Sequence, residues 1–240
     1  MTNLAPNYWL NSFDVQTELF LNRFAGHLGW FDRAVLLAAG SNLTTAAVIV
    51  FLFWMALFDP KRSGRLRDGA ELLLASAFFA MLATLTARAL ALSLPFRARP
   101  MATPSLPFLL PAGGSTVVIH WSSFPSDHAT LFFAMAAGIL LVSRRLGWCA
   151  VAWVILVISF PALYLGIHWP TDVLAGAGLG ICFAQFARIP RVRAITRQMV
   201  APMYEKRPAI FLPVLFLWSY ETTVLFDDIR RVLFFVFHGI

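Results

Sequence analysis

Ser123-Phe124-Pro125-Ser126-Asp127-His128 runs straight into the apolar stretch Ala129–Leu141. About forty residues later His168-Trp169-Pro170-Thr171-Asp172 stands at the mouth of another apolar run. Ionisable residues are costly to hold at the ends of membrane spans, so clusters of them there point to chemistry at a membrane surface. The rest of the chain supports a membrane setting. Of its 240 residues 59% are hydrophobic and only 13% charged, with a mean hydropathy of +0.73. A soluble domain carries about 25% charged residues.

A helix needs about 20 mainly apolar residues to cross a bilayer. On that measure spans fall near 36–58, 70–92, 128–143, 148–167, 172–187 and 208–226. The third and fifth are short, and the last is interrupted by Ser219, Tyr220 and Glu221. Residues 8–31 mix Trp9, Phe13, Phe20, Phe24 and Trp30 with charges, as an amphipathic helix lying at the interface does. The expected fold is therefore all-α: a polytopic membrane bundle of about six helices with an N-terminal interfacial helix. Residues 1–240 read as one domain, with an amphipathic segment over 1–33, a motif-bearing core over 85–185 and a possible last span over 208–226. No targeting segment, internal repeat or low-complexity tract is evident.

The net charge of +7 does not suggest nucleic acid, because the cations sit in short clusters between apolar runs and no aromatic-interleaved basic patch exists. Residues 59–67 hold four cations, Arg144-Arg145 two, and 188–207 six. These loops alternate along the chain and are expected in the cytoplasm by the positive-inside rule. Both histidine clusters then share the opposite, extracytoplasmic face. Cys149 and Cys182 lie inside apolar runs and read as small core residues. No dense Asp/Glu cluster suggests a metal, and no cofactor is expected.

The chemistry follows from the residue types. Ser126 or Asp127 is a natural helix N-cap, and the N–H groups of the first turn make an anion site beside His128. Asp172 lies four residues after His168, with Pro170 at the loop-to-helix junction, and an Asp beside a His can fix its tautomer. One imidazole can then attack phosphorus while the other protonates the leaving oxygen. Arg97 and Arg99 add guanidinium forks that match phosphate. His27 and His238 have no such company, and His120 lies in the outer loop as a minor candidate contact.

At these residues the chain resembles the type 2 phosphatidic acid phosphatase family of membrane phosphatases. That family's signature reads Lys-x6-Arg-Pro, then Pro-Ser-Gly-His, then Ser-Arg-x5-His-x3-Asp. Pro125-Ser126-Asp127-His128 matches the second with Asp for Gly, a variant familiar among bacterial members, and Tyr164 to Gly176 is close to the wording around the second His. The resemblance covers roughly 85–185. It implies that His168 is a nucleophile forming a phosphohistidine, that Asp172 orients it, and that His128 serves as acid and then base. Arg99, Ser126 and the amides around Asp127 would hold the phosphoryl oxygens of a lipid phosphate or pyrophosphate, without a metal. It further implies an integral protein of a bacterial inner membrane, its partners being lipid phosphate and membrane lipids, and it leaves the oligomeric state open.

Two positions depart from the signature. The first-motif Lys falls on Leu92, and the third-motif Ser-Arg falls on Pro161-Ala162. Arg88, one helical turn before Leu92, and Arg97 are the candidate replacements. The alternative is a catalytically weakened or silent protein that still binds lipid phosphate. A transporter is disfavoured, because the broken repeated helices of such folds are missing.

Overall fold

The computed structural model describes residues 9–58, 69–111 and 121–225, and among these nine helices and no strand occur. They are α1 (Ser12–Asn22), α2 (Gly29–Gly40), α3 (Leu43–Leu57), α4 (Ala70–Ser93), α5 (Asp127–Val142), α6 (Arg144–Tyr164), α7 (Pro170–Arg188), α8 (Pro190–Lys206) and α9 (Pro208–Thr223). Prolines open α7, α8 and α9 at the first helical position, where the missing N–H costs nothing. Within α6 the turn Val154–Ser159 widens just ahead of Pro161, whose ring removes one backbone donor.

Helices α4 and α6 are each long and apolar enough to cross a membrane, and α5 is a shorter apolar helix of the same kind. The expected span over 36–58 is not one rod. It breaks at Ser41-Asn42, where α2 meets α3 at 71°. The cationic stretch expected as a loop over 188–207 is also largely helical, with α8 turned 74° from α7. The cluster at 61–67, His120, His238 and the tail beyond residue 225 lie outside the described residues.

The core forms where α3, α4, α5 and α6 meet, around Phe53, Leu73, Leu131, Phe132, Met135, Ile139 and Val154. The outer faces are apolar as well: Phe51, Leu156, Leu174 and Phe216 are each more than 60% exposed. A helix apolar on all sides belongs in a bilayer, so this is an integral membrane protein. Cys149 and Cys182, expected in the core, are free thiols on these outer faces. A hydropathy run cannot tell core from lipid when both are apolar.

Helices α5 and α7 touch along Gly176 and Gly180. A Cβ at Gly176 would meet the Ser126 carbonyl oxygen at 2.4 Å, and one at Gly180 the Thr130 carbonyl oxygen at 2.1 Å. Small residues let membrane helices approach to backbone contact. Because α5 begins at Asp127 and α7 at Pro170, this contact brings the two histidine clusters together at one end of the bundle. Arg144, Arg145 and α8 lie at the other end, where Arg193 of α8 pairs with Glu71 in the first turn of α4 at 2.8 Å.

Candidate active site

Three loop segments, 97–103, 123–126 and 166–172, are stapled together by their own backbones. Ser123 N–H donates to the Arg97 carbonyl at 3.0 Å, Ser126 N–H to Asp172 at 3.1 Å, and Met101 N–H to Gly166 at 3.1 Å. Trp169, fully buried, donates its indole N–H to the Ala98 carbonyl at 2.8 Å. Gly166 takes φ +65°, a conformation that side chains disfavour, and so turns the chain between α6 and His168.

His168 is 5% exposed, and its Nδ1 lies 2.9 Å from the Ser123 carbonyl and 3.6 Å from Asp172 Oδ2. Both neighbours only accept, so the ring proton belongs on Nδ1 and Nε2 carries the free lone pair. The hydrogen bond that sets the tautomer is thus made to the Ser123 backbone, with Asp172 as a nearby charge. Asp172 itself is fully buried, accepts the Trp169 N–H at 2.8 Å and pairs through Oδ1 with Arg97.

Ser126 caps α5, its hydroxyl accepting the Ala129 N–H at 3.3 Å, and it is 2% exposed. Asp127, at the position of the family's glycine, is a bridge. Its Oδ1 accepts the His128 N–H at 2.8 Å and faces His128 Nδ1 at 3.0 Å, while its Oδ2 pairs with Arg88 at 2.8 Å. Nε2 is again the free nitrogen. The His128 side chain is 46% exposed, whereas His168 is buried.

Arg88, one turn inside α4, thus pairs with Asp127 beside His128, whereas Leu92 is 77% exposed. Arg99 is buried and donates to the Ile167 carbonyl at 2.6 Å, next to His168. Ala162 contributes only backbone, its carbonyl accepting the N–H groups of Ile167 at 2.9 Å and His168 at 3.2 Å. Arg97 turns its two terminal nitrogens to carboxylates, in place of the phosphate expected from the sequence. Nη1 donates to Asp172 and to Thr171 Oγ1 at 2.9 Å, and Nη2 to Asp14 at 2.5 Å. Asp14 was not among the residues singled out from the sequence, nor was the Ser123 carbonyl. His27 is exposed in the α1–α2 connection, remote in role from these groups. Among the described residues no cluster of three or more His, Cys, Asp or Glu side chains is arranged to hold a metal ion.

Residues 76–193 match the family model described as PAP2 superfamily. Over this stretch the chain is similar to that superfamily. Among curated relatives, it is 38% identical over 89 residues to the bacitracin transport permease protein BcrC of Bacillus licheniformis, a match covering 35% of this chain and 41% of that one. It is 37% identical over 67 residues to the putative undecaprenyl-diphosphatase YbjG of Escherichia coli, covering 28% and 34% respectively. To the undecaprenyl-diphosphatase BcrC of Bacillus subtilis it is 30% identical over 100 residues, covering 40% and 48%. The chain thus spans less than half the length of these relatives. The crystal structure of Aquifex aeolicus LpxE aligns with a TM-score of 0.48 at 18% identity, over 74% of this chain and 96% of that one. Helices α1 and α2 lie wholly outside the PAP2 match.

Proposed function

We propose that this protein is a membrane phosphatase that hydrolyses a lipid phosphate or pyrophosphate, of the undecaprenyl pyrophosphate or phosphatidate kind, through a phosphohistidine at His168. The observation that carries the reading is the tautomer lock: His168 Nδ1 is tied to the Ser123 carbonyl, which leaves the Nε2 lone pair of a buried ring as the nucleophile. Nε2 attacks phosphorus, the bond from phosphorus to the lipid oxygen (or to the bridging oxygen of a pyrophosphate) breaks, and His128 protonates the departing oxygen. His128 then takes a proton from water, which attacks the phosphohistidine and releases inorganic phosphate. Arg88, Arg99, Ser126 and the first amides of α5 surround the phosphoryl oxygens. The names of the undecaprenyl-diphosphatase relatives favour a polyprenyl pyrophosphate among the lipid classes. The arginine-bearing opposite end of the bundle supports a site on the extracytoplasmic face of a bacterial inner membrane.

A second reading is favoured by Leu92 and Ala162, which supply no positive charge where the signature has it: a protein that binds lipid phosphate without turning it over. Phosphate release by the purified protein, in chelator and across a panel of lipid phosphates, separates the two. Turnover that is lost in His168→Ala and His128→Ala, with an acid-labile phosphoryl trapped on the wild type, is the expected result. Undiminished release from His168→Ala would sink the mechanism, and lipid phosphate binding without release would select the second reading.

A further inference from the structure

Helix α1 is built inside out. Its buried face is polar, carrying Asp14, Glu18 and Asn22 at intervals of four, while Phe13, Phe20 and Phe24 stand more than half exposed. Of these buried polar groups, Asp14 reaches the loops that form the site. Asn22 closes a two-way hydrogen bond with the backbone of Leu109, at 2.8 Å in both directions. Asp14, fully buried, accepts the Thr171 N–H at 2.9 Å, the Thr171 hydroxyl at 2.6 Å, Asn11 Nδ2 at 2.7 Å and Arg97 Nη2 at 2.5 Å. Thr171 is the neighbour of Asp172, and Arg97 joins the two carboxylates.

The charge of this group decides what His168 feels. Paired with Arg97 alone, Asp172 would form a neutral couple, with little field left to hold a proton or a positive ring beside it. With Asp14 sharing the same guanidinium, two carboxylates face one cation and the group keeps a net negative charge. Glu18, one turn further along α1, would double that charge if it ionised. It is fully buried, and neither of its carboxylate oxygens has a hydrogen-bond partner among the described residues. Burial, together with Asp14 and Asp172, pushes its pKa up to about 9, so it stays protonated at neutral pH.

We propose, on the basis of the phosphatase reading above, that Asp14 is a positioning residue of the site: through Arg97 and Thr171 it holds the first turn of α7 and keeps Asp172 electrostatically available to the His168 ring. The other charged groups around His168 are Arg97 and Arg99 from the 97–103 segment, Asp127 and His128 at the start of α5, Arg88 of α4 behind Asp127, and Glu18 of α1. None of them replaces Asp14, because it is the carboxylate that shares Arg97 with Asp172. The N-terminal helix, outside the PAP2 match, thereby becomes part of the catalytic apparatus without touching substrate.

Asp14→Asn keeps the size and an acceptor for the Thr171 N–H while removing the charge. Its kcat/KM profile is expected to have its acidic limb moved down by about one pH unit, with kcat lowered and KM unchanged. Asn22→Ala loosens the same helix without a change of charge, and its limb is expected to stay with the wild type. An unmoved limb in Asp14→Asn, or an equal movement in Asn22→Ala, would overturn the proposal. Asp14→Ser, smaller and still an acceptor, takes the place of Asp14→Asn if that variant does not fold. NMR titration of the His168 imidazole in micelles reads the same shift without turnover. A lowered His168 pKa in an enzyme that releases no phosphate would therefore uphold the coupling while the phosphatase reading fell.

Discussion

Glu18→Gln is expected to make the protein more stable, by an amount that grows with pH. Glu18 is fully buried with both carboxylate oxygens lacking hydrogen-bond partners among the described residues, and its pKa rises from the model-peptide value of 4.5 to about 9. Below 4.5 the folded and unfolded chains both keep the proton. Between 4.5 and about 9 only the folded chain keeps it, so unfolding releases a proton and becomes easier by about 1.4 kcal/mol for each pH unit. At pH 7, about 2.5 units into that window, the cumulative loss is about 3 kcal/mol as an upper figure. Glutamine has no proton to release. Thermal unfolding in detergent micelles at pH 5, 7 and 8.5 should show wild type and Glu18→Gln close together at pH 5 and separating steadily above it. Since all other titrating groups are shared, their contributions cancel in the difference. A separation that does not change with pH would show that Glu18 is not held protonated, and one of the opposite sign would show an ionised, paired carboxylate.

Two further expectations concern how the clusters are held together. Gly180→Ala places a Cβ 2.1 Å from the Thr130 carbonyl oxygen, so α5 and α7 must part; a loss of about 1–3 kcal/mol and a fall in phosphate release should appear together, and full activity with normal stability would contradict the packing account. Arg88→Ala removes the guanidinium that pairs with Asp127; a drop of about 10²–10³ in kcat is expected in the phosphate-release assay, against little change for Arg191→Ala at the far end, and equal effects would remove Arg88 from the site.

The two histidine clusters were legible because their meaning is local. A His and an Asp four apart at a proline-opened helix, and a Pro-Ser-Asp cap ahead of His128, specify their neighbours by chain spacing alone. What stayed hidden depends on contacts between distant segments. Asp14 and Arg97 are 83 residues apart, and the acceptor that fixes His168 is a backbone carbonyl, which no residue type announces. One signal was nonetheless present. In water a helix hides its apolar stripe, so the aromatic residues of 8–31 suggested a helix lying on a surface. In a membrane the preference inverts, and Asp14, Glu18 and Asn22 at intervals of four mark the face that must find protein partners. The break of the 36–58 span at Ser41-Asn42 is similar: hydropathy records that the residues are apolar, not that a polar pair interrupts the helix.

The missing cations at Leu92 and Ala162 take on a different meaning once the arginines are followed to their partners. Arg97 serves Asp14 and Asp172, so it stabilises the carboxylate behind His168. Arg88 is paired with Asp127, a carboxylate that exists only because the family's glycine is replaced here, and that same carboxylate orients His128. Arg99 is held beside His168 by the Ile167 carbonyl. The positive charge around the histidines is thus rearranged: an arginine one turn inside α4 is tethered by an aspartate at the start of α5. A phosphate entering this site would compete with Asp127 for Arg88, which would tie phosphate binding to the environment of His128.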